Sequence, residues 1–297
     1  MRVAINVEYM HKAGFVNIFG KANAGKSTLM NALVGEKLAI VSPKVQTTRH
    51  RITGVVSTVD YQIVFSDTPG IIDPKYRLHE KMMGAVKSAL EDADVAMLIM
   101  DARDNVAENL ELFDSLKLRA TCVLVVNKAD LLKKDALDEV IKRCEAWGKA
   151  TVVAISALKL QGIPELLERI VSLLPEGEPF YPEDTLTDKS TRFFVGEMIR
   201  EKIFQLFDEE IPYHTAVAVT QYQEKTTLIK ISAEIIVTRE TQKAIILGDK
   251  GSSIKKIGTL ARQDIEKFVG QKVFLELFVK VRNKWRDNDI YLKEYGY

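Results

Sequence analysis

The segment GKANAGKS runs from Gly20 to Ser27 and matches the spacing G-x-x-x-x-G-K-[ST] at every fixed position. It follows the apolar run FVNIF, and the stretch STLMNALVG that opens at Ser27 has the composition of a helix. Glycines let backbone N–H groups turn toward phosphate oxygens, and the N-terminus of a following helix attracts the same anion. The segment therefore predicts a phosphate-binding loop, with Lys26 at the β- and γ-phosphates and the Ser27 hydroxyl on Mg²⁺. The alternative is a glycine-rich turn that matches by chance.

Apolar runs of strand length alternate with amphipathic stretches through the first half of the chain, which predicts a mostly parallel six-stranded sheet with helices on both faces. Two of these runs meet at Asp60, too closely for a crossover helix, so we expect them to form an antiparallel pair at the edge. The runs are Phe15–Phe19, Ile52–Val59, Tyr61–Phe65, Val95–Met100, Cys122–Val126 and Val152–Ile155.

Three further motifs stand at strand ends: DTPG at 67–70, NKAD at 127–130 and the pair Ser156-Ala157. Asp67 is placed to hold the Mg²⁺ shell, and the Gly70 N–H to meet the γ-phosphate. The Asp130 carboxylate can accept both the ring N–H and the exocyclic amine of guanine, a donor pair that adenine lacks. Each motif alone is usually a solvated polar turn, but the set lies where open α/β sheets bind ligands.

Together the four motifs resemble the GTP-binding domain of the P-loop GTPases over about residues 13–174, and they indicate GTP rather than ATP. We expect the nucleotide contacts to come from the motifs and the residues beside them: Gly20, Lys21, Ala22, Asn23, Ala24, Gly25, Lys26, Ser27, Thr28, Asp67, Thr68, Pro69, Gly70, Ile71, Asn127, Lys128, Ala129, Asp130, Ser156 and Ala157.

The polar segment Ser42–Arg51 is predicted to be a mobile first switch, with a surface loop as the alternative. Thr48, or less favourably Thr47, would then reach Mg²⁺ when the γ-phosphate is present, which makes Ser27, Thr48 and Asp67 the candidate metal ligands. Ile71 stands where small signalling GTPases carry the glutamine that orients the attacking water. An isoleucine cannot hydrogen-bond, so the water must be positioned otherwise.

The resemblance suggests how hydrolysis proceeds without that glutamine. In the similar GTPases an asparagine at the position of Asn23 helps bind K⁺ beside the phosphates, which implies K⁺-stimulated hydrolysis of GTP to GDP and phosphate; a plain loop-stabilising side chain is the alternative. The candidate catalytic residues are Lys26, Asn23, Gly70 and Thr48. No catalytic base is identified.

The second half of the chain begins after a stretch rich in proline and acids, Pro175–Asp188, which does not continue a helix. The later elements read helix, two strands, two helices and a last strand, an α+β order of αββααβ. We therefore predict an amino-terminal extension at 1–12, a first domain at 13–175, a linker at 176–190 and a second domain at 191–297.

Positive charge is concentrated in the second half. Residues 239–286 hold twelve bases and five acids, although the whole chain has a formal net charge of only +1. Such a basic surface indicates a polyanionic partner, with a solvated charged face as the alternative.

A G-x-x-G tetrad at 248–251 lies between two predicted helices within this basic region. Glycines at both ends let an RNA backbone approach, and the next helix offers N–H donors. The apolar floor of the groove is predicted to be formed by Ile246, Leu247, Ile254 and Ile257. This resembles a KH domain of the second topological type. We expect RNA contacts from Ile246, Leu247, Gly248, Asp249, Lys250, Gly251, Ser252, Ile254, Lys255 and Lys256.

A GTPase domain joined to such a KH domain is similar to the bacterial Era family, and the likeness continues through QTTRHRITG, FYPEDTLTD and KVRNKWRDN. It covers about Gly14 to Tyr297. The resemblance implies GTP or GDP and Mg²⁺ as ligands, with K⁺ as an added candidate, and the 3′ end of small-subunit ribosomal RNA and the 30S subunit as partners. The sequence departs from the commoner phosphate loop, which has Pro and Val where this chain has Ala22 and Ala24.

The rival functions are a static RNA-binding scaffold with a structural nucleotide, and a GTPase whose basic surface meets membrane lipid. Two cysteines, scattered histidines and no long apolar run argue against a secreted, zinc-dependent or integral membrane protein. We expect a cytoplasmic protein, with some peripheral association at the inner face of the membrane implied by the resemblance, and no DNA partner. Residues Met1–Tyr9 have no recognised counterpart, and Met10 is an alternative start.

Overall fold

The computed structural model describes residues 11–42 and 44–297, so Pro43 and nearly all of the predicted amino-terminal extension lie outside the described residues. Contacts divide the chain into two compact units. The second unit contains Ile40–His50 and Ile72–Gly84 in addition to Lys189–Tyr297, and the first unit contains the remainder. The units are therefore not two continuous stretches of chain, because two segments of the first half fold with the second.

Six strands form the sheet of the first unit, in the order β2-β3-β1-β4-β5-β6. Every neighbouring pair is parallel except β2 and β3, whose antiparallel pairing confirms the predicted edge hairpin. The strands are Lys12–Phe19 (β1), Ile52–Ser57 (β2), Tyr61–Asp67 (β3), Val95–Asp101 (β4), Thr121–Asn127 (β5) and Thr151–Ala154 (β6). The helices of this half are Lys26–Val34 (α1), Arg77–Glu91 (α2), Val106–Ser115 (α3), Lys134–Glu145 (α4) and Ile163–Leu173 (α5).

Strand β4, with the sequence VAMLIMD, is buried along its whole length. A parallel strand covered on both faces reads as a continuous apolar run, which is why its pattern does not alternate. The parallel register places Ile18 beside Asp67 and Asp101 beside Asn127, so the polar residues that end β3, β4 and β5 meet at one edge of the sheet. This edge carries the candidate nucleotide site.

The predicted linker contains no helix or strand, and it is tied along the edge of this sheet. The Gln62 side chain accepts from the N–H groups of Phe180 and Tyr181, at 2.7 and 2.9 Å. Further along, the Val55 N–H donates to the Leu186 carbonyl at 2.8 Å. The bond from Val55 pairs a backbone group on the outer edge of β2, which would otherwise be unpaired, and the Gln62 side chain ties the linker to β3.

The second unit has the predicted αββααβ order. Its sheet runs β7-β8-β9, antiparallel between the first two strands and parallel between the last two. Isoleucine and valine side chains from α6, β8 and α8 form its main core. A short helix that the sequence pattern did not predict follows, capped by Asn288. The elements are Thr191–Leu206 (α6), Ala216–Glu224 (β7), Ile229–Val237 (β8), Glu240–Leu247 (α7), Ser252–Val269 (α8), Val273–Val281 (β9) and Asp289–Glu294 (α9).

Among the described residues, none of the helices combines the length and the apolar character that crossing a bilayer requires.

Candidate nucleotide and RNA sites

The phosphate loop encloses the ammonium group of Lys26 at the start of α1. Lys26 Nζ donates to the carbonyls of Gly20 and Lys21, at 3.1 and 2.8 Å. Burial lowers the pKa of Lys26 to about 8, against the opposing effect of the Asp67 carboxylate. The loop thus holds a cation that the negative charge of a polyphosphate would stabilise.

Two glycines of the loop are required by the protein itself. A Cβ on Gly20 would lie 2.2 Å from the Ile99 carbonyl oxygen, and one on Gly25 would lie 2.2 Å from Asn127 Nδ2. Gly25 also has a φ of 101°, a left-handed conformation that side chains disfavour. The loop is therefore packed so tightly against β4 and β5 that its backbone path is fixed.

The candidate Mg²⁺ ligands of the first unit face each other. Ser27 Oγ donates to Asp67 Oδ2 at 2.6 Å, and the neighbouring Thr68 hydroxyl holds the Ile18 carbonyl at 2.7 Å. A hydroxyl and a buried carboxylate are hard oxygen donors of the type that Mg²⁺ prefers. The chemistry of this pair fits the ion.

The DTPG segment lies against the phosphate loop. A Cβ on Gly70 would come within 3.2 Å of the backbone N and Cα of Ala22. Pro69 and Gly70 are buried and Ile71 is half-buried. The missing side chain at Gly70 thus allows its backbone to lie beside the predicted phosphate loop.

Asn127 joins three of the predicted motifs. Its Nδ2 donates to the Ala24 carbonyl at 2.9 Å, and its Oδ1 accepts from the Ala157 N–H at 3.0 Å. One amide side chain therefore fixes both the phosphate loop and the SA pair relative to the end of β5.

Two other predicted nucleotide contacts lie nearby in the sequence. Thr28, in the first turn of α1, is half-buried. Ala129 donates its N–H to the Ile155 carbonyl at 3.0 Å.

The carboxylate of Asp130 is ionised at neutral pH. A hydrogen bond from Ser156, with Lys159 beside it, lowers its pKa. Lys159 Nζ lies 3.1 Å from Asp130 Oδ2. An ionised carboxylate accepts only, as two adjacent N–H donors of guanine require. Lys159 was not predicted, although its position three residues after Ser156 was the available signal.

Lys128 connects the phosphate loop to a carboxylate that was also missed. Its Nζ donates to the Asn23 carbonyl and to Asp101 Oδ2, both at 2.7 Å. Asp101 in turn accepts from the Arg103 guanidinium. The signal in the sequence was the position of Asp101 directly after the apolar run Val95–Met100, at the end of the sheet where the other polar residues lie.

The segment Ile40–His50 is bound within the second unit. Thr47 and Thr48 are both buried. Next to them, the Arg49 guanidinium donates to the carbonyls of Thr215 and Pro212, at 2.7 and 2.9 Å. The candidate switch threonine is thus one residue from an arginine anchored by backbone carbonyls of that unit.

Helix α6 holds the same segment from another side. Lys44 donates to the carbonyls of Phe204 and Phe207 near the helix end, and Arg200 donates to the Thr47 carbonyl. Arg200 is fully buried and paired with Glu197 of its own helix. Buried charged groups are costly unless hydrogen bonds replace their contacts with water, and the Thr47 carbonyl accepts one such bond from Arg200.

The segment Ile72–Gly84 also packs within the second unit. Leu78 and Met82 are buried in a cluster with Trp285 and Leu292 near the end of the chain. At its rim the Arg77 guanidinium pairs with Asp289 at 3.1 Å. Both segments that flank the nucleotide motifs in sequence are therefore part of the fold of the second unit.

The G-x-x-G tetrad forms the turn between α7 and α8. Gly248, Gly251 and Lys250 all have positive φ, of 71°, 79° and 48°. Lys250 and Asp249 are exposed, as are Ser252, Lys255 and Lys256. This places the charged residues of the predicted RNA site on the surface at the N-terminus of the eighteen-residue helix α8.

The predicted apolar floor needs a correction. Ile246 and Ile257 are fully buried in the main core, so they support the groove from beneath and do not line it. The open groove is lined by α8 and β9, through Ile254, Lys255, Gly258, Thr259, Arg262, Leu275 and Leu277. Leu247 is half-buried beside the turn. The signal for the missed α8 residues was the four-residue helical spacing from Ile254 to Gly258 and Arg262.

Comparison with known proteins identifies relatives of both halves. The family model described as 50S ribosome-binding GTPase matches residues 15–128, and the model described as KH domain matches residues 210–286. GTPase Era of Syntrophus aciditrophicus (strain SB) is 44% identical over 296 residues, which are 97% of this chain and 96% of that protein. GTPase Era of Thermosipho melanesiensis is 45% identical over 291 residues, 96% of this chain and 97% of that protein.

Two solved structures are similar along nearly the whole chain. A variant of Era from Aquifex aeolicus bound to GDP and AlF₄⁻ superposes with a TM-score of 0.93 at 39% identity, over 96% of this chain and 99% of that one. Era in complex with MgGDPNP and nucleotides 1506–1542 of 16S ribosomal RNA superposes with a TM-score of 0.92, also at 39% identity and with the same coverage.

Proposed function

This chain belongs to the GTPase Era family, and on that premise we propose that it is a GTP-hydrolysing switch that binds the 3′ end of small-subunit ribosomal RNA and assists maturation of the 30S subunit. One observation carries the proposal. The first unit holds the GTP motifs, and the second unit combines an open G-x-x-G groove with the segment that contains Thr48.

The residues of the first unit divide the work of holding MgGTP. Lys26 and the N-terminus of α1 neutralise phosphate charge, and Asp130 selects guanine. Ser27 and Asp67 would hold Mg²⁺. The bound ion neutralises charge that develops on the phosphate oxygens. In the second unit we assign the remaining ligand to Thr48, and we assign the groove of α8 and β9 to single-stranded RNA.

Hydrolysis must proceed without a glutamine after DTPG, because Ile71 stands there. We propose that Asn23 helps bind K⁺ beside the phosphates and that the backbone of Gly70 contacts the γ-phosphate. The Asn23 carbonyl is held by Lys128, so the backbone that carries this side chain is fixed. Turnover measured at equal ionic strength should then be faster in K⁺ than in Na⁺, and equal rates in the two salts would remove the K⁺ assignment.

We propose that the γ-phosphate controls the second unit through Ile40–His50. Arg49 and the Thr47 carbonyl are adjacent to Thr48 in the chain. A change in the position of Thr48 on binding the metal ion therefore changes the position of both neighbours. Those groups bond to Thr215, Pro212 and Arg200. Nucleotide state therefore changes the free energy of contacts on which the second unit is built, and RNA binding must affect nucleotide affinity reciprocally.

The test is GTP turnover of the full chain with and without an RNA fragment equivalent to the 16S 3′ end. We expect turnover in Mg²⁺ that responds to this fragment and is lost in Lys26→Ala. A static scaffold predicts no turnover under any condition.

A cytoplasmic location follows from the ribosomal partner. Binding to anionic vesicles that Gly251→Asp leaves intact, with no RNA binding, would instead favour the membrane-lipid function.

A further inference from the structure

The carbonyl groups of the phosphate loop are held by donors from the end of β5. Asn127 holds the Ala24 carbonyl and Lys128 holds the Asn23 carbonyl. The C=O and N–H of a trans peptide point in opposite directions. Fixing these two carbonyls therefore fixes the direction of the N–H groups of Ala24 and Gly25, and Gly25 is the N-cap of helix α1.

The Lys128 ammonium lies between this loop and one carboxylate. Its Nζ is 2.7 Å from the Asn23 carbonyl oxygen and 2.7 Å from Asp101 Oδ2. Lys128 itself has a φ of 61°, so the backbone that presents the ammonium is in an unusual, left-handed conformation. A flexible lysine side chain is thus held at both its base and its tip.

Asp101 is built to remain a carboxylate in this position. It is 5% exposed, and the Arg103 guanidinium and backbone N–H also donate to it, at 2.7 to 3.0 Å. Burial alone raises its pKa, but the hydrogen bonds from Arg103 and Lys128 prevail and hold the pKa well below the usual range. The side chain of Arg103 is more than half exposed, so its contact with Asp101 is open to solvent whereas that of Lys128 is more protected.

We infer that Asp101 is a positioning residue of the nucleotide site, which sets the phosphate loop by holding Lys128 against the Asn23 carbonyl. The inference rests on the proposed function, because it assigns a role within the same GTP site. Asp101 belongs to none of the sequence motifs. Asp101 affects the nucleotide site only through Lys128, whose ammonium donates to the carbonyl of the Asn23–Ala24 peptide.

Removing the charge tests this chain of contacts. In Asp101→Asn the ammonium loses its ionic partner and is free to turn toward solvent, so the Asn23–Ala24 peptide loses its fixed direction. Hydrogen bonds that involve charged groups contribute enough that we expect affinity for GDP to fall about tenfold. Affinity is measured by titration of the full chain with a fluorescent GDP analogue.

The matched control is Arg103→Ala, which removes the other partner of Asp101 and leaves the Lys128 contact in place. We expect its GDP affinity to stay within about twofold of the unmodified chain, because exposed ion pairs contribute little. A loss as large as that of Asp101→Asn would overturn the inference. So would an unchanged affinity in Asp101→Asn.

A double-mutant cycle separates positioning from a general structural effect. Lys128→Met alone should lose affinity at least as much as Asp101→Asn, and the double variant should lose no more than Lys128→Met, since the two residues act in series. Additive losses would contradict the inference. If Asp101→Asn does not fold, Asp101→Glu with Lys128→Met completes the cycle.

A second readout is the ratio of the affinities for GDP and for xanthosine diphosphate, because this preference for the guanine base depends on Asp130. The preference should be the same in Asp101→Asn as in the unmodified chain, although both affinities fall. A chain that neither binds nor hydrolyses GTP before any substitution would refute the proposed function itself, a result that is distinct from every outcome above.

Discussion

Two glycine-bounded turns open helices in this protein, and they are built in opposite ways. In the phosphate loop a Cβ on Gly25 would strike Asn127 at 2.2 Å, whereas a Cβ on Gly251 would meet nothing closer than Ile254 Cγ2 at 4.0 Å. Lys26 of the first turn is buried, and Lys250 of the second is exposed. At the glycine that precedes its helix, the phosphate loop is therefore closed and the G-x-x-G turn is open, although Gly248 at the other end of that turn is tightly packed, with Ser253 Oγ 2.3 Å from the position of a Cβ.

We attribute the difference to the two ligands that we propose for these turns. A terminal phosphate is small and is bound by backbone N–H groups that must already point inward, so the protein fixes the loop from behind. A nucleic acid chain is long and approaches from outside, so its turn needs free space and mobile charge. At position 25 a larger residue is excluded by a clash with Asn127. At position 251 a larger residue is disfavoured by the positive φ and, as we propose, by the close approach of RNA.

The lysines of the two turns give the largest expected contrast. Lys26→Ala should reduce GTP affinity by at least about a hundredfold, because it removes a buried cation from the phosphates. The unfolding free energy of the nucleotide-free protein should not fall, since burial already disfavours that charge. Isothermal titration and chemical denaturation measure the two quantities. A loss of stability with retained affinity would reverse the roles assigned to this lysine.

Alanine at the two glycines tests the closed and open turns directly. In Gly25→Ala the added Cβ clashes with Asn127, and alanine must also adopt a left-handed backbone conformation. This strain, about 1–3 kcal/mol, should weaken GTP binding by more than tenfold. Gly251→Ala meets only the backbone effect, so we expect about 1 kcal/mol of lost stability and unchanged GTP affinity. Equal effects of the two substitutions on GTP affinity would show that the turns are not built differently.

The pH dependence of nucleotide binding follows from the lowered pKa of Lys26, about 8 in the free protein. Phosphate charge raises that pKa in the complex, so above pH 8 binding must take up a proton. GDP affinity should be nearly constant between about pH 7, where the phosphates are fully ionised, and pH 8, and should fall up to about tenfold per further pH unit. Lys26→Ala serves as the control, because any slope that it retains belongs to the guanine base. A flat profile up to pH 9 would contradict the buried position of this ammonium.

The smallest expected effect is that of Lys250→Ala. An exposed lysine on a phosphate contributes mainly through counterion release, so RNA affinity should fall only a few-fold and the slope of log K against log salt should decrease by about 0.7. Arg103→Ala, an exposed cation of the first unit, is the matched control and should leave the slope unchanged. An equal decrease in both variants would mean that the charge of the whole chain, and not the open turn, attracts the RNA.

The sequence predicts the strands, the order of elements and the GTP motifs because these depend on local pattern. G-x-x-x-x-G-K-S specifies its own turn, and the continuous apolar run of β4 specifies a buried parallel strand. What it does not predict depends on strand order. Asp101 and Lys128 meet because β4 and β5 are neighbours in register, and nothing local to either residue announces the pair.

The same reason explains two features of the second unit. Ile246 and Ile257 flank the tetrad in sequence, which suggested a groove floor, but the packing of α7 and α8 on the sheet turns both into the core. The burial of Arg200 beside Glu197 and the Thr47 carbonyl joins α6 to a segment more than a hundred residues earlier. Neither the pair nor that contact has a signature in local spacing.

If the terminal phosphate governs the RNA groove, as we propose, the affinity for one RNA fragment must differ between the two nucleotide states. The fragment is the equivalent of the 16S 3′ end, titrated against the full chain loaded with MgGDP or with a non-hydrolysable MgGTP analogue. We expect binding at least about fivefold tighter with the analogue, within the usual range of allosteric coupling. Equal affinities in the two states would contradict it.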